Sequence, residues 1–176
     1  MRRTSPQFLK TIKHRECAQP YKADCLERTT IVSVHNGFLK NYEEIKDNLR
    51  FKHKYESLEI ELIDSEVFPH SFEELVWENG VKKALENLFL KIKGSSTVAL
   101  LSLNENDRAL SILHKGRTVG LNLWKNNEEE IIFSSRWEPV IEVLGELLDN
   151  KGFRTRIFID YGESASTYYY LKPSFF

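Results

Sequence analysis

An amide side chain and a glycine follow a short apolar run, and together they could stabilise a developing negative charge. Residues 31–34 read Ile-Val-Ser-Val, which predicts a buried strand, and His35, Asn36 and Gly37 come directly after it. A side-chain amide beside a free backbone N–H can form an oxyanion hole for acyl transfer. The alternative is an ordinary tight turn, because Asn-Gly is a frequent turn dipeptide.

A second candidate is the carboxylate of Asp64, in the run Asp-Ser-Glu at residues 64–66. This run opens a predicted helix. A carboxylate at a helix start could hold the ammonium group of a substrate, or it could simply cap the helix. The residues alone leave both interpretations open.

Four potential zinc ligands precede or follow the predicted strand, namely His14, Cys17, Cys25 and His35. Two residues separate His14 from Cys17 and seven separate the two cysteines, so the spacing matches no paired-ligand pattern. A structural-zinc module is the weakest of three functional alternatives for this chain. The chain has no P-loop, no dinucleotide-binding glycine fingerprint and no nucleophile elbow. We therefore expect no metal and no cofactor.

The elements that would position these residues are predicted from periodicity and caps. The first thirty residues are expected to be irregular. A helix is predicted over residues 41–50, with a capping box from Asn41 to Glu44. The helix that Asp64 opens is expected to bend or restart at Pro69, with a further capping box made by Ser71 and Glu74. Asn79-Gly80 is expected to end this helical stretch.

The second half of the chain changes period. A helix over residues 81–92 ends before Gly94, and another covers residues 138–148. Short strands are predicted at residues 97–103, 108–114, 119–124, 131–134, 155–160 and 167–171. A strand, then helices, then a strand-rich meander indicates an α+β fold with a mostly antiparallel sheet.

Composition excludes several classes of function. The chain has 176 residues, 41% of them hydrophobic, which suffices for one domain with a sizeable core. Lys and Arg number 25 against 26 for Asp and Glu, so no nucleic-acid-binding surface and no membrane-binding basic patch is expected. No apolar run approaches the roughly 20 residues of a membrane span. Two cysteines are too few for a disulfide scaffold, which favours a cytoplasmic location.

Two segments resemble the class II glutamine amidotransferases. Residues 34–45 read Val-His-Asn-Gly-Phe-Leu-Lys-Asn-Tyr-Glu-Glu-Ile, and residues 64–67 read Asp-Ser-Glu-Val. The chain looks most like the glutaminase domain of glucosamine-6-phosphate synthase. Looser similarity extends to residues 18–21, 115–121 and 132–135, so the resemblance covers nearly the whole chain.

The resemblance implies a fold, a ligand and four site residues. The fold would be that of the N-terminal-nucleophile hydrolases, a sandwich of mostly antiparallel sheets flanked by helices. The ligand would be glutamine. Asn36 and Gly37 would form the oxyanion hole, Asp64 would bind the α-ammonium group, and Arg3 is a weaker match to the arginine that holds the α-carboxylate.

The chain also departs from the family pattern. The family's N-terminal cysteine nucleophile is absent from the start of this sequence, which begins Met-Arg-Arg, so the chain is predicted to be inactive by itself and to lack the opening strands of the fold. We expect an irregular segment over residues 1–30, packed on a glutaminase-like domain over residues 31–176. The alternative function is a non-catalytic glutamine-sensing or protein-interaction module. Open sheet edges should be covered by a second copy or by a partner chain.

Overall fold

The computed structural model describes residues 6–104 and 108–172, which form two antiparallel sheets and four α-helices. The helices are α1 (Tyr42–Asp47), α2 (Asp64–Asn79), α3 (Val81–Lys91) and α4 (Glu138–Asn150), with short 3-10 helices at Pro6–Thr11, Arg15–Cys17 and Ser57–Glu59. The strands are β1 (Tyr21–Ala23), β2 (Ile31–Leu39), β3 (Gly94–Leu103), β4 (Arg108–Arg117), β5 (Leu121–Lys125), β6 (Ile131–Ser134), β7 (Arg154–Ile159) and β8 (Ser164–Leu171).

The two sheets are stacked between helices. One sheet has the order β1-β2-β3-β4-β8 and the other the order β6-β5-β7, and every neighbouring pair is antiparallel. The main core joins the first sheet to α2 and α3 through residues such as Phe68, Phe72 and Leu100. A second cluster, which includes Ile112 and Leu123, lies between the sheets. The predicted α+β sandwich of mostly antiparallel sheets flanked by helices is confirmed.

The Asn-Gly dipeptide lies inside a strand, so the predicted turn is wrong. β2 runs through residues 35–37 to Leu39, and Gly37 is paired with Ser96 of β3. Gly37 has φ +134°, and a Cβ added there would lie 2.1 Å from the carbonyl oxygen of Ser95. A glycine is needed at this position because β3 passes too close for any side chain.

Local cap signals in the helices were misleading. Asn41 precedes α1 but makes no capping bond; its side chain instead bonds Lys91 O at 3.1 Å and Lys93 N at 2.8 Å. The other predicted capping box is wrong as well, because Ser71 and Glu74 lie within α2.

α2 is one continuous helix through Pro69, contrary to the predicted bend or restart. Its start at Asp64 and its end before Gly80 agree with the sequence prediction. Burial explains the continuity: Pro69 is buried, and so are Phe68 and Phe72, which belong to the core between α2 and the first sheet. Tertiary packing of this kind outweighs the local cost of a proline.

The segment before residue 31 is more regular than expected. β1 pairs with β2, with Tyr21 opposite Ser33, so the loop prediction is wrong for Tyr21–Ala23. Phe8, Cys17 and Tyr21 are buried in a small cluster with Ile63. The described part of this segment is therefore packed on the rest of the fold.

Within residues 6–104 and 108–172, no helix combines the length and the apolar character needed to cross a membrane.

Candidate active site on strand β2

The side chains of β2 alternate between two environments. His35 points to α2, where its ring contacts Ser65, whereas Asn36 lies on the wall of a cavity between the two sheets. The cavity has a volume of about 260 Å³. Its lining comes from the facing strands and the turns beside them: Val34, His35, Asn36, Thr97, Val98, Ala99, Ile112, Val119, Gly120, Leu121, Phe133, Ser134 and Ser135. Asn36 is the member of the predicted site that this cavity contains.

His35 connects three elements through its imidazole ring. Nδ1 lies 2.8 Å from Ser65 Oγ on α2, and Nε2 lies 3.1 Å from Ser96 Oγ on β3. The ring also packs on Phe68, with 4.7 Å between the ring centroids. Burial lowers the pKa of His35 to about 3, so the ring is neutral at physiological pH. Its 3.9 Å approach to Asp64 Oδ2 is therefore not an ion pair.

Gln19 is a site residue that the sequence did not single out. Its amide pairs with the backbone of His35: Nε2 donates to His35 O at 2.8 Å, and His35 N donates to Oε1 at 2.5 Å. The Gln19 side chain thus continues the contact of this segment with β2 two residues beyond the Tyr21–Ser33 pair. The signal available in the sequence was the loose family similarity of residues 18–21, which did not point to Gln19 in particular.

Asp64 is buried on the helix side of β2. Its Oδ2 accepts a hydrogen bond from Leu39 N at 2.9 Å, Ser65 Oγ lies 3.4 Å from Oδ1, and the residue is 3% exposed. Burial raises the pKa of Asp64 to about 6, although these hydrogen bonds act in the opposite direction. Asp64 therefore shares its face of β2 with His35, while Asn36 faces the cavity. Arg3 lies outside the described residues.

Glu66 organises the loop in front of α2. Its carboxylate accepts hydrogen bonds from Glu56 N at 2.6 Å, from Ser57 N at 3.1 Å and from Ser57 Oγ. The residue is 1% exposed, and burial raises its pKa. Because two backbone N–H groups and one hydroxyl of the loop donate to this carboxylate, it holds the loop against the helix start that carries Asp64.

The four zinc candidates named from the sequence belong to different environments. Cys17 packs with Phe8 and Tyr21, and His35 bonds the two serines described above. Cys25 lies beside His70, with 3.7 Å from Sγ to Nδ1. Among the described residues, neither cysteine lines the cavity next to Asn36.

Comparison with curated proteins finds similarity to two enzymes of the same name. No family model matches the chain. The chain is 40% identical over 100 residues to glutamine--fructose-6-phosphate aminotransferase [isomerizing] of Methanocaldococcus jannaschii, a match that covers 52% of the chain and 8% of the relative. It is 36% identical over 104 residues to the enzyme of the same name from Thermococcus kodakarensis, which covers 58% of the chain and 16% of the relative. The chain thus spans a small part of these relatives.

Comparison with solved structures finds proteins of similar fold and low sequence identity. A structure described as the allosteric regulatory enzyme of purine biosynthesis superposes on 91% of the chain and 32% of its own, with a TM-score of 0.50 and 15% identity. A glutamine phosphoribosylpyrophosphate amidotransferase from B. subtilis has a TM-score of 0.47 and 16% identity. Over about half of its length the chain therefore resembles glutamine-using amidotransferases in sequence, and its sandwich of antiparallel sheets shares the fold of a solved enzyme of purine biosynthesis.

Proposed function

We propose that this domain binds glutamine, with the side-chain amide of the ligand in the cavity between the two sheets. The observation that carries the proposal is the position of Asn36 on the cavity wall, beside the constrained Gly37. The Asn36 amide and the Gly37 N–H would donate to the oxygen of the ligand amide. Two such donors are the usual composition of an oxyanion hole for acyl transfer.

Asp64 is the proposed partner of the ligand's α-ammonium group. Its carboxylate is bonded to Leu39 N, two residues beyond Gly37, and its buried charge faces a neutral His35. Burial of a carboxylate without a cation is costly, and an ammonium group would offset that cost. The ligand would reach Asp64 from the Gly37–Leu39 end of β2. Arg3 remains the predicted partner of the α-carboxylate.

The position of the thiols supports binding without hydrolysis. Thioester chemistry needs a cysteine beside the oxyanion hole, and Cys17 and Cys25 are buried or half-buried elsewhere in the described structure. We therefore expect the 176-residue chain to release no ammonia from glutamine. The same observation favours the second candidate, a non-catalytic module that senses glutamine or binds a protein. Because both curated relatives are fructose-6-phosphate aminotransferases, amino-sugar metabolism is the proposed context.

Calorimetric titration tests the pocket. We expect L-glutamine to bind the chain and Asn36→Ala to weaken binding about tenfold or more, since a hydrogen-bond donor is lost. Asn127→Ala removes an exposed asparagine and serves as the control. No heat at millimolar glutamine, or equal affinity in the two variants, would refute the pocket at Asn36.

A ligand without the amino group tests Asp64 separately. The wild-type chain should bind glutamine about tenfold or more tightly than 4-carbamoylbutyrate, because a charge-assisted contact is missing in the latter. Asp64→Asn should remove this preference, whereas Asp47→Asn, at an exposed position of α1, should keep it. A preference that survives Asp64→Asn would place the ammonium group elsewhere.

An ammonia assay separates the catalytic from the non-catalytic candidate. Glutamine turnover that survives in the Cys17→Ser and Cys25→Ser variants would require a different nucleophile. Turnover lost in one variant would identify the nucleophile and would contradict our expectation that neither thiol is in place. No turnover in a chain that binds glutamine would agree with the binding module.

We propose that two copies of the chain associate through the unpaired edge strands of the sheets. Among the described strands, β8 is an edge strand of eight residues, and β7 is an edge strand of six. Unpaired backbone groups on an edge strand can pair with a second copy of the chain. Sedimentation should show a concentration-dependent dimer, and a monomer at all concentrations would refute the proposal. We also propose a cytoplasmic location, because Cys17 and Cys25 form no disulfide.

A further inference from the structure

Four potential metal ligands meet beside α2, on the side of the fold away from the cavity residues. They are Cys25 in the loop between β1 and β2, His53 in the loop after α1, and His70 and Glu73 within α2. One ligand atom from each of the four lies within 4.8 Å of all the others. Three separate chain segments thus bring one thiol, two imidazoles and one carboxylate to a single point.

Two pair distances already fit a small tetrahedral ion. Cys25 Sγ lies 3.7 Å from His70 Nδ1, and His53 Nδ1 lies 3.2 Å from Glu73 Oε2. Tetrahedral zinc with bonds of about 2.0–2.3 Å holds its ligand atoms about 3.3–3.8 Å apart. The widest separation in the cluster must close by about 1 Å, which small rotations of the loop side chains Cys25 and His53 can supply.

Two buried ligand atoms of the cluster lie against each other without a well-directed hydrogen bond. The side chains of His53 and Glu73 are 1% and 0% exposed. His53 Nδ1 and Glu73 Oε2 approach within 3.2 Å, yet neither atom has a hydrogen bond in the described structure. A cation to one side of both would satisfy them.

The outer contacts of the cluster suit a metal site. Lys54 N donates to Cys25 Sγ at 3.4 Å, and Leu26 N donates to Glu73 Oε1 at 2.9 Å, which leaves Oε2 available. The far nitrogen of His53, Nε2, lies 3.4 Å from Glu74 Oε2. A carboxylate behind a ligating histidine is a common second contact that fixes the ring.

We propose that Cys25, His53, His70 and Glu73 bind one structural zinc ion. A thiolate and a carboxylate balance the charge of Zn²⁺, and thiolate with imidazole ligands favours zinc over calcium or magnesium. Four protein ligands fill the tetrahedral shell, so the ion would fasten two loops to α2 and would take no part in chemistry at Asn36. The proposal is independent of glutamine binding.

Metal content and cobalt substitution test the site on the full 176-residue chain. After removal of metals with a chelator and addition of zinc, we expect one zinc per chain by elemental analysis. Co²⁺ in place of zinc should give the intense visible bands of a tetrahedral site and a near-ultraviolet thiolate-to-cobalt charge-transfer band. A wild-type chain that retains no zinc, or that binds cobalt without the charge-transfer band, would overturn the proposal.

The two cysteines form a matched pair for assignment. Cys25→Ser should abolish the charge-transfer band and weaken zinc binding about 100-fold or more, whereas Cys17→Ser should leave both unchanged. Equal effects in the two variants would contradict the site. If Cys25→Ser does not fold, Glu73→Gln provides the second variant: the charge-transfer band should persist while zinc affinity falls. An unchanged zinc affinity in Glu73→Gln would also contradict the proposed ligand set.

Discussion

His35 Nδ1 and Ser65 Oγ lie 2.8 Å apart, and this contact joins the strand that carries Asn36 to the helix that carries Asp64. Both residues are buried, with 8% and 6% of their surfaces exposed. Because the His35 ring is neutral, the contact is a hydrogen bond between uncharged groups. The two halves of the predicted site are therefore held together by a residue pair that sits between them.

Removal of the Ser65 hydroxyl should destabilise the fold. Ser65→Ala leaves a buried imidazole nitrogen without its partner, and we expect a loss of about 1–3 kcal/mol in the free energy of unfolding. Urea denaturation measures this loss. Ser71→Ala, the same change at another buried serine of α2, provides the control. A Ser65→Ala effect no larger than that of the control would show that the contact adds nothing to stability.

Asp64 should make stability depend on pH between about 4 and 6. Native Asp64 keeps its proton up to about pH 6, against an ordinary value of 3.8, so within this window the native state binds more protons than the unfolded state. Stability contributed by Asp64 therefore falls as pH rises, by about 3 kcal/mol across the window.

The Asp64→Asn variant isolates this dependence, since the other titrating groups are common to both proteins. The free energy of unfolding of the wild-type chain minus that of Asp64→Asn should decrease from pH 4 to pH 6 and then stay constant. Asp47→Asn should give a flat difference in the same window. A difference for Asp64→Asn that rises with pH would mean that its carboxylate is stabilised in its charged form.

The start of α2 at Asp64 could be predicted from sequence, because an acidic residue at a helix start acts through local electrostatics. The end of α2 before Gly80 could also be predicted, because glycine readily adopts the positive φ, here +75°, that ends a helix. In contrast, the predicted caps at Asn41 and Ser71 failed, since both residues have tertiary surroundings that outweigh their local preference. Capping preferences read from neighbouring residues therefore predict a helix end only where no tertiary contact engages the same side chains.

The sequence suggested candidate residues by their type but could not give their arrangement in space. Asn36 and Gly37 were singled out as an oxyanion hole or a turn and not as part of a strand, because a pair of residues carries no information about the strand β3 that lies across from them. Gln19 was missed since its bonds to His35 join residues that are far apart in sequence. His53 and His70 are likewise distant in sequence, although their ring centroids lie 5.2 Å apart.

Gly37 should not tolerate a side chain. In Gly37→Ala the new Cβ would meet Ser95 O at 2.1 Å, and φ of +134° is unfavourable for alanine. We expect a loss of more than about 3 kcal/mol in the free energy of unfolding, since strain in φ and overpacking against backbone add. Gly152→Ala, with φ +68° and nothing within 4 Å of the new Cβ, should cost only about 1 kcal/mol. Similar losses in the two variants would mean that β2 and β3 separate easily at this point.

Glu66 should stabilise the loop before α2 through its negative charge. Its two oxygens accept from Glu56 N and Ser57 N, so in Glu66→Gln an amide NH₂ would face one of these donors. We expect a loss of about 2–3 kcal/mol in the free energy of unfolding, together with faster hydrogen exchange of both backbone amides.

Glu86→Gln is the matched change on α3, where the carboxylate pairs with Lys83 near the surface at 3.0 Å. It should alter stability by less than about 1 kcal/mol and leave exchange at residues 56 and 57 unchanged. If Glu66→Gln lowers stability without any change in exchange at these two amides, the carboxylate stabilises α2 itself and not the loop. Because Asp64 and Ser65 begin the same helix, faster exchange would also link Glu66 to the geometry of the predicted glutamine site.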